Sequence, residues 1–398
     1  MRSSLLMTWA LSAALLAASC TNDGIVEPSP NNAEANSITF TIRTPAGEKV
    51  SYSRADEIHD LPEYAIKTLR LYEYEVITGE DGSKKTSFCR LMKYPTGNGT
   101  EVFDITNNGN GSYAFSIVIP ASYEGKTYTY RLVANDIPAS PAAGSTVEDF
   151  RNGLYASVVL ADNVVTTDEE GNETSAPTTA SALADPDKGI AMSGCATFEG
   201  SEEIKIGTTT TCEVELTRVV SRVDIRYQTP NLVLTNIQLM GAPKKGYIFP
   251  QVANDGSEAP YIPSVLNSDC ITMAFDKARL PEGYLKNQEG KDTEVINKAF
   301  YMYERSNYDG NYAYVHLEYD VLADDGTEEG AKYSGELDVP FRSTTADGEG
   351  NFNYINAVRN HLYTIVLGNG TDPVAGKVTA KLIVDDWNLI EIDEHITD

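Results

Sequence analysis

The side chains able to act as nucleophiles, bases or metal ligands are few in this 398-residue chain, which has five cysteines and four histidines. His59, His316, His361 and His395 stand far apart, and none lies in the HExxH or HxH spacing that would hold zinc. Cys89, Cys195, Cys212 and Cys270 form neither a CxxC redox pair nor a zinc-knuckle pattern. Cys195 and Cys212 flank a hairpin, and in an oxidising compartment they are either a disulfide pair or two buried free thiols. No GxSxG elbow, Walker loop or strand-linked GxGxxG occurs; "TGNGTE" and "NNGNGS" read as turns. Acidic loops such as "TADGEGN" and "LADDGTEEG" lack the spaced ligands of a calcium-binding loop. Among 58 acidic residues no pair stands out as a glycosidase acid and base. The expectation is a non-enzymatic protein without metal or cofactor.

Cys20 has a different chemistry. "MRSSLLMTWALSAALLAASC" places a basic Arg2 before an apolar stretch from Leu5 to Ala18, then small residues running into the cysteine. The stretch is too short to span a membrane and has the layout of a secretory signal. A cysteine directly after "AAS" reads as a lipoprotein signal (residues 1–20), with Cys20 as the lipidated new N-terminus. The Leu that usually sits three before the cysteine stands one position earlier, at Leu16. The following polar, Pro-containing stretch, residues 21–37, reads as a flexible tether. The protein is thus expected outside the cytoplasm. Its formal charge of −27 argues against nucleic acid or an anionic membrane surface as a partner.

The elements that follow are mostly strands. In "SITFTIR", Ile38, Phe40 and Ile42 alternate with Thr39, Thr41 and Arg43, the period-two mark of a strand with one buried face. "SYAFSIVIP" puts Tyr113, Phe115, Ile117 and Ile119 on one face, and "KTYTYRLVAND" does so with Tyr128, Tyr130, Leu132 and Ala134. "STVEDFRNGLY" predicts a helix, with Ser145 and Glu148 as a capping box. From Val164 to Asp187 the sequence reads as a polar loop. In "TTCEVELTRVVSRVDIRY", apolar residues occupy even positions at Cys212, Val214 and Leu216, then odd ones at Val219, Val223 and Ile225. Such a slip turns side chains to the opposite face, so one sheet ends near Thr217 and another begins. Two β-sandwich domains follow, over residues 38–217 and 218–398. After "VTAKLIVDDW", the segment 388–398 resumes alternation with Ile390, Ile392 and Ile396, preceded by Leu389.

Taken in order along the chain, these segments resemble the fimbrillin (FimA-like and Mfa-like) pilins of Bacteroidales. The resemblance rests on Cys20, on "SITFTIRT", and on Arg54 followed by "ADEIHDLPEYAIKTLRLYEYE". "GIAMSG" with "VELTRVVSRVDI", "NAVRNHLYTIVLGNG" and the closing "VDDW" complete it. It implies an all-β fold of two transthyretin-like sandwiches in tandem. It also implies a mechanism: export as a lipoprotein, cleavage by an arginine-specific protease, loss of the first strand, and its replacement by a strand of another subunit. On this chain that carries Arg54–Ala55 as the processing site and residues 38–54 as the removable strand, with Ile38, Phe40 and Ile42 as its apolar face. Leu389, Ile390, Ile392 and Ile396 become the donor. Glu394 falls where a further apolar contact is expected. Arg43 is a second cleavage candidate, but it lies within the strand. The implied partners are other pilus subunits, the protease, the outer membrane before processing, and a host or bacterial adhesion ligand. A stalk subunit fits best; a tip or anchor subunit, or a monomeric lipoprotein binding glycan or host protein, is the alternative.

Overall fold

The computed structural model describes residues 37–45, 63–94, 103–109, 111–136, 138, 140–153, 160, 164–167, 173–176, 178–179, 183, 189–207, 209, 211–229, 231–252, 260–275, 294–322, 331–343, 351–368 and 378–386. The fold is all-β. Before Val219 the strands are β1 (Ser37–Arg43), β2 (Leu69–Thr78), β3 (Lys84–Tyr94), β4 (Thr106–Gly109), β5 (Ser112–Val118), β6 (Thr127–Ala134), β7 (Val164–Thr167), β8 (Glu173–Ala176), β9 (Thr178–Thr179), β10 (Met192–Thr197), β11 (Ile204–Lys205), β12 (Thr211–Glu215) and β13 (Thr217–Arg218). After it come β14 (Val220–Tyr227), β15 (Leu232–Pro243), β16 (Gln251–Val252), β17 (Pro260–Tyr261), β18 (Cys270–Ala274), β19 (Glu294–Tyr303), β20 (Tyr314–Leu322), β21 (Ala331–Pro340), β22 (His361–Leu367) and β23 (Ala380–Asp386).

Ten strands of the first group form one sheet in the order β3-β2-β6-β10-β12-β1-β5-β4, with β11 added to β6 and β13 to β10. It folds across itself: Phe40 of β1 meets Tyr130 of β6 edge to face, although two strands separate them in the sheet. Of the alternating residues named above, Ile38, Phe40, Ile42, Phe115, Tyr130, Leu132, Cys212 and Val214 enter the enclosed core of this sheet. β10 and β12 approach so closely that a Cβ on Gly194 would stand 2.2 Å from the Glu215 carbonyl oxygen, so only glycine fits there. The second group forms a four-stranded sheet, β19-β14-β22-β23, and, with β9 of the first group added at its edge, a five-stranded one, β21-β20-β15-β18-β9. Val223 and Ile225 of β14 and Ile365 of β22 share a core with Leu234, Leu239, Val315 and Leu317 of the facing sheet.

A helix, α1 (Val147–Gly153), bridges the two groups. Its Phe150 ring lies 4.5 Å from Tyr72 on the outer face of β2 and 5.4 Å from Phe249. The cap stands one residue later than the sequence suggested. Thr146 Oγ1 accepts from the Asp149 amide at 3.0 Å, and Asp149 returns the bond by accepting from the Thr146 amide at 2.9 Å. Ser145 instead donates to the Ala142 carbonyl. The stretch expected to be a polar loop contains the hairpin β7–β8, and β9 pairs in parallel with β18. The short sequences VVTT, ETSA and TT show no alternation of apolar and polar residues, so periodicity could not reveal them.

Candidate functional site

β1 does not lie at an edge. It pairs antiparallel with β5 along its whole length, from Ser37 opposite Val118 to Arg43 opposite Ser112. On its other side it pairs in parallel with β12, from Thr39 beside Thr211 to Arg43 beside Glu215. Its inward side chains are nearly inaccessible, at 1% exposure for Ile38 and 0% for Phe40 and Ile42. The Phe40 ring stacks on Phe115 at 4.9 Å, and Phe115 in turn on Phe103 at 4.2 Å. Its outward residues are polar and partly or fully exposed; Thr39 shares a hydrogen bond with Ser116 at 2.9 Å. Three apolar side chains at about 1.5–3 kcal/mol each contribute roughly 5–9 kcal/mol of burial.

The geometry defines what would remain without this strand. The β4–β5 hairpin is joined to the rest of the sheet only through β1 among the described strand pairings. Taking β1 out would leave unpaired edges on β5 and β12 and an apolar trough floored by Phe115, Tyr130 and Val214. Such a trough with two open edges is a receptor for an extended segment with alternating apolar residues.

The C-terminal end of β1 is pinned at the junction of the two strand groups. Leu216 donates its amide to the Arg43 carbonyl at 2.9 Å, and Thr44 donates to Gly111 at 2.8 Å. The buried Arg218 guanidinium donates to the Pro45 carbonyl, to the Glu63 carbonyl at 3.2 Å and to Asn360 Oδ1 at 3.0 Å. One side chain therefore holds both ends of the connection between residues 45 and 63. Glu63 itself is gripped from the second group: its carboxylate accepts from Arg222 at 3.2 Å and from the Tyr301 hydroxyl at 2.6 Å. Arg222 also forms a two-pronged pair with Asp224, at 2.7 Å for each bond. Burial works against the Arg222 charge, but Asp224 and Glu63 outweigh it and hold its pKa well above the ordinary value. Burial, with Glu63 beside it, pushes the Tyr301 hydroxyl well up. None of these groups is arranged around a reacting atom; they fix where the chain re-enters the fold.

Of the residues singled out from the sequence, the structure brings Ile38, Phe40 and Ile42 together in one core. Cys20, Arg54, Ala55, Leu389, Ile390, Ile392 and Ile396 lie outside the described residues. Cys195 and Cys212 are not joined, and both thiols are free. Ala196 pairs with Val214, which sets Cys195 three register positions from Cys212 and on the opposite face of the sheet. Three positions along a strand are about 10 Å, beyond the reach of a disulfide. Burial pushes the Cys195 thiol up to about 11 and that of Cys212 up to about 12. Sequence reasoning missed Glu63, Arg218 and Arg222, because charged residues beside strands usually face solvent and nothing in their spacing marks a buried cluster. Among the described residues, no three His, Cys, Asp or Glu side chains stand together as a metal site.

No family model matches the chain, and no curated protein does. Solved structures do. Its structural neighbours are fimbrial proteins and adhesins. The tip fimbrial protein Mfa3 from Porphyromonas gingivalis, truncated at its C-terminus, is 13% identical with a TM-score of 0.42, over 88% of this chain and 100% of that one. The fimbrial anchor protein Mfa2 from the same organism is 9% identical with a TM-score of 0.28, over 88% and 98%. A candidate cell adhesion protein from Bacteroides uniformis is 11% identical with a TM-score of 0.37, over 91% and 100%.

Proposed function

We propose that the protein is a subunit of a cell-surface fimbria, exported as a lipoprotein through Cys20 and assembled by strand exchange. It has two tandem sandwich domains that meet near Thr217. β1 occupies the acceptor groove during export, cleavage after Arg54 frees it, and residues 388–398 of another subunit replace it. The placement of β1 carries this reading: it is the first described strand, sits mid-sheet with one parallel neighbour, and presents a single apolar face. A strand attached only through the connection ahead of Glu63 is the piece that one cut there releases whole. The possession of both a groove and a donor segment favours a stalk role over a tip.

Treating the full-length protein with an arginine-specific protease tests the proposal. The expected products are a new N-terminus at Ala55 and SDS-resistant multimers that fail to form when residues after Trp387 are deleted. Normal polymerisation of an Arg54→Ala variant would overturn the processing site, and cleavage yielding only monomers would shift the role to a tip subunit.

A further inference from the structure

A second concave feature lies far from β1, at one end of the five-stranded sheet. Where β15 passes β18 the register jumps from Leu239 opposite Met273 to Ala242 opposite Ile271, so Met240 and Gly241 together face Thr272. This bulge opens a cleft of about 620 Å³, lined by Met240, Gly241, Asn267, Thr272, Tyr312 and Tyr314 among others. That volume is within the range of small-ligand sites, and bulges gather beside such sites. We propose that this cleft binds a neutral oligosaccharide.

The cleft is held in shape from beneath at some cost. Gly241 has φ +73°, and a Cβ there would meet Arg305 Nη1 at 2.8 Å and the Tyr312 carbonyl at 3.1 Å. Arg305 is wholly buried; its guanidinium donates to the Gly241 carbonyl, to Asn311 Oδ1 at 2.7 Å and to the Cys270 thiol at 3.4 Å. Buried Asn311 donates to the Val265 carbonyl at 2.9 Å, and buried Asn307 to the Ile355 carbonyl at 2.7 Å. On the rim, Asn267 donates across to Gly310 at 3.4 Å. A buried guanidinium and two buried amides are a costly way to end a sheet that needs only a turn. They are the usual means of fixing a polar binding surface in advance.

What the cleft presents matches a sugar. The Tyr312 and Tyr314 rings lie 6.2 Å apart, and Tyr354 adjoins Tyr312 at 5.4 Å, giving half-buried aromatic faces that suit the C–H face of a pyranose. Asn267 and Thr272 offer an amide and a hydroxyl for sugar hydroxyls. Charge selects the neutral class. The residues that line it, Cys270, Ile271 and Gly310 as well as those named above, carry no formal charge, and Arg305 is engaged inward by its carbonyl and amide partners.

The test uses the uncleaved full-length chain, so its outcome is separate from strand exchange. Saturation-transfer NMR is run with mannohexaose, chitohexaose and a hexasaccharide of N-acetyllactosamine, and with the sialylated form of the last. At least one neutral probe should show transfer, weakened at least about tenfold by Tyr312→Ala at unchanged circular dichroism. The exposed-rim variant Asn267→Ala should weaken the same probe without touching the core. Absence of transfer from all three neutral probes, binding indifferent to both variants, or tighter binding of the sialylated probe would each overturn the assignment.

Discussion

Loss of the first strand should turn Cys212 from an inert core thiol into a reactive groove thiol. Cys212 lies on β12 directly beside Phe40 of β1, and its side chain is 0% exposed. Burial alone pushes its pKa up to about 12 from an ordinary 9.0. At pH 8 an ordinary thiol is about one-tenth thiolate, whereas one with a pKa near 12 is about one part in ten thousand. Alkylation by iodoacetamide should therefore be about a thousandfold slower in the intact chain from ionisation alone, before steric exclusion adds to it. The exposed Cys89 serves as an internal reference.

The assay is pulse alkylation read by peptide mass spectrometry, on a chain ending at Trp387 so that the cleaved form cannot polymerise. Before cleavage, Cys89 should be labelled and Cys212 not. After arginine-specific cleavage and departure of residues 1–54, Cys212 should label within about tenfold of Cys89, as expected for a thiol with an ordinary pKa. Adding a peptide of residues 388–398 should restore protection. Labelling of Cys212 in the intact chain, or its persistent protection in the cleaved monomer, would refute the claim that β1 is what seals this groove.

Four further outcomes follow. Phe40→Ala should destabilise the uncleaved chain by about 3–5 kcal/mol in denaturant titration, while leaving unchanged any multimers assembled by the proposed exchange, from which Phe40 would be absent. Arg218→Met, which removes the bonds to Pro45, Glu63 and Asn360, should speed hydrogen exchange at the β1 amides while those of β22 keep their protection; uniform loosening would count against a local latch. Gly194→Ala should cost about 3 kcal/mol, because its Cβ would meet backbone of β12 that cannot move aside. Buried Glu73 has its carboxyl raised by burial, which outweighs the bonds from Arg90 that favour the charge. A raised carboxyl contributes stability at pH values below its unfolded pKa and loses it as pH rises through the folded one. Glu73→Gln should therefore compare better with the parent chain above pH 4.5 than below it, measured by melting temperature across pH.

The sequence revealed faces more readily than partners. Ile38, Phe40 and Ile42 were legible as one buried face because a strand's side chains alternate whatever it pairs with. That β1 would lie beside β12, some 170 positions later, was not legible, since parallel pairing leaves no turn signal between the strands. The same gap left the reading of Cys195 and Cys212 open between a disulfide and free thiols: seventeen residues of separation suit a hairpin pair, and only the register reveals opposite faces. The cleft beneath Tyr312 was hidden for a related reason, as Gly241 and Arg305 meet only through the fold.

The two strand groups differ in a way that would confine the proposed replacement to one of them. β14 repeats the situation of β1: it opens its group, with one parallel neighbour, β22, and one antiparallel neighbour, β19. The difference lies in the second face. β14 is buried on both sides, with Arg222 and Asp224 on its outer face gripping the junction and Glu63. β1 is buried on one side and polar on the other. A substitute for β14 would have to supply a matching charge cluster as well as apolar residues, whereas a substitute for β1 needs only alternating apolar residues over five to seven positions. As the proposed donor, residues 388–398 would meet that lesser demand with Ile390 and Ile392, and Glu394 is the position at which a better donor sequence could be built. Replacing Glu394 with isoleucine should slow donor dissociation in the peptide-protection assay, and an unchanged rate would place that residue outside the groove.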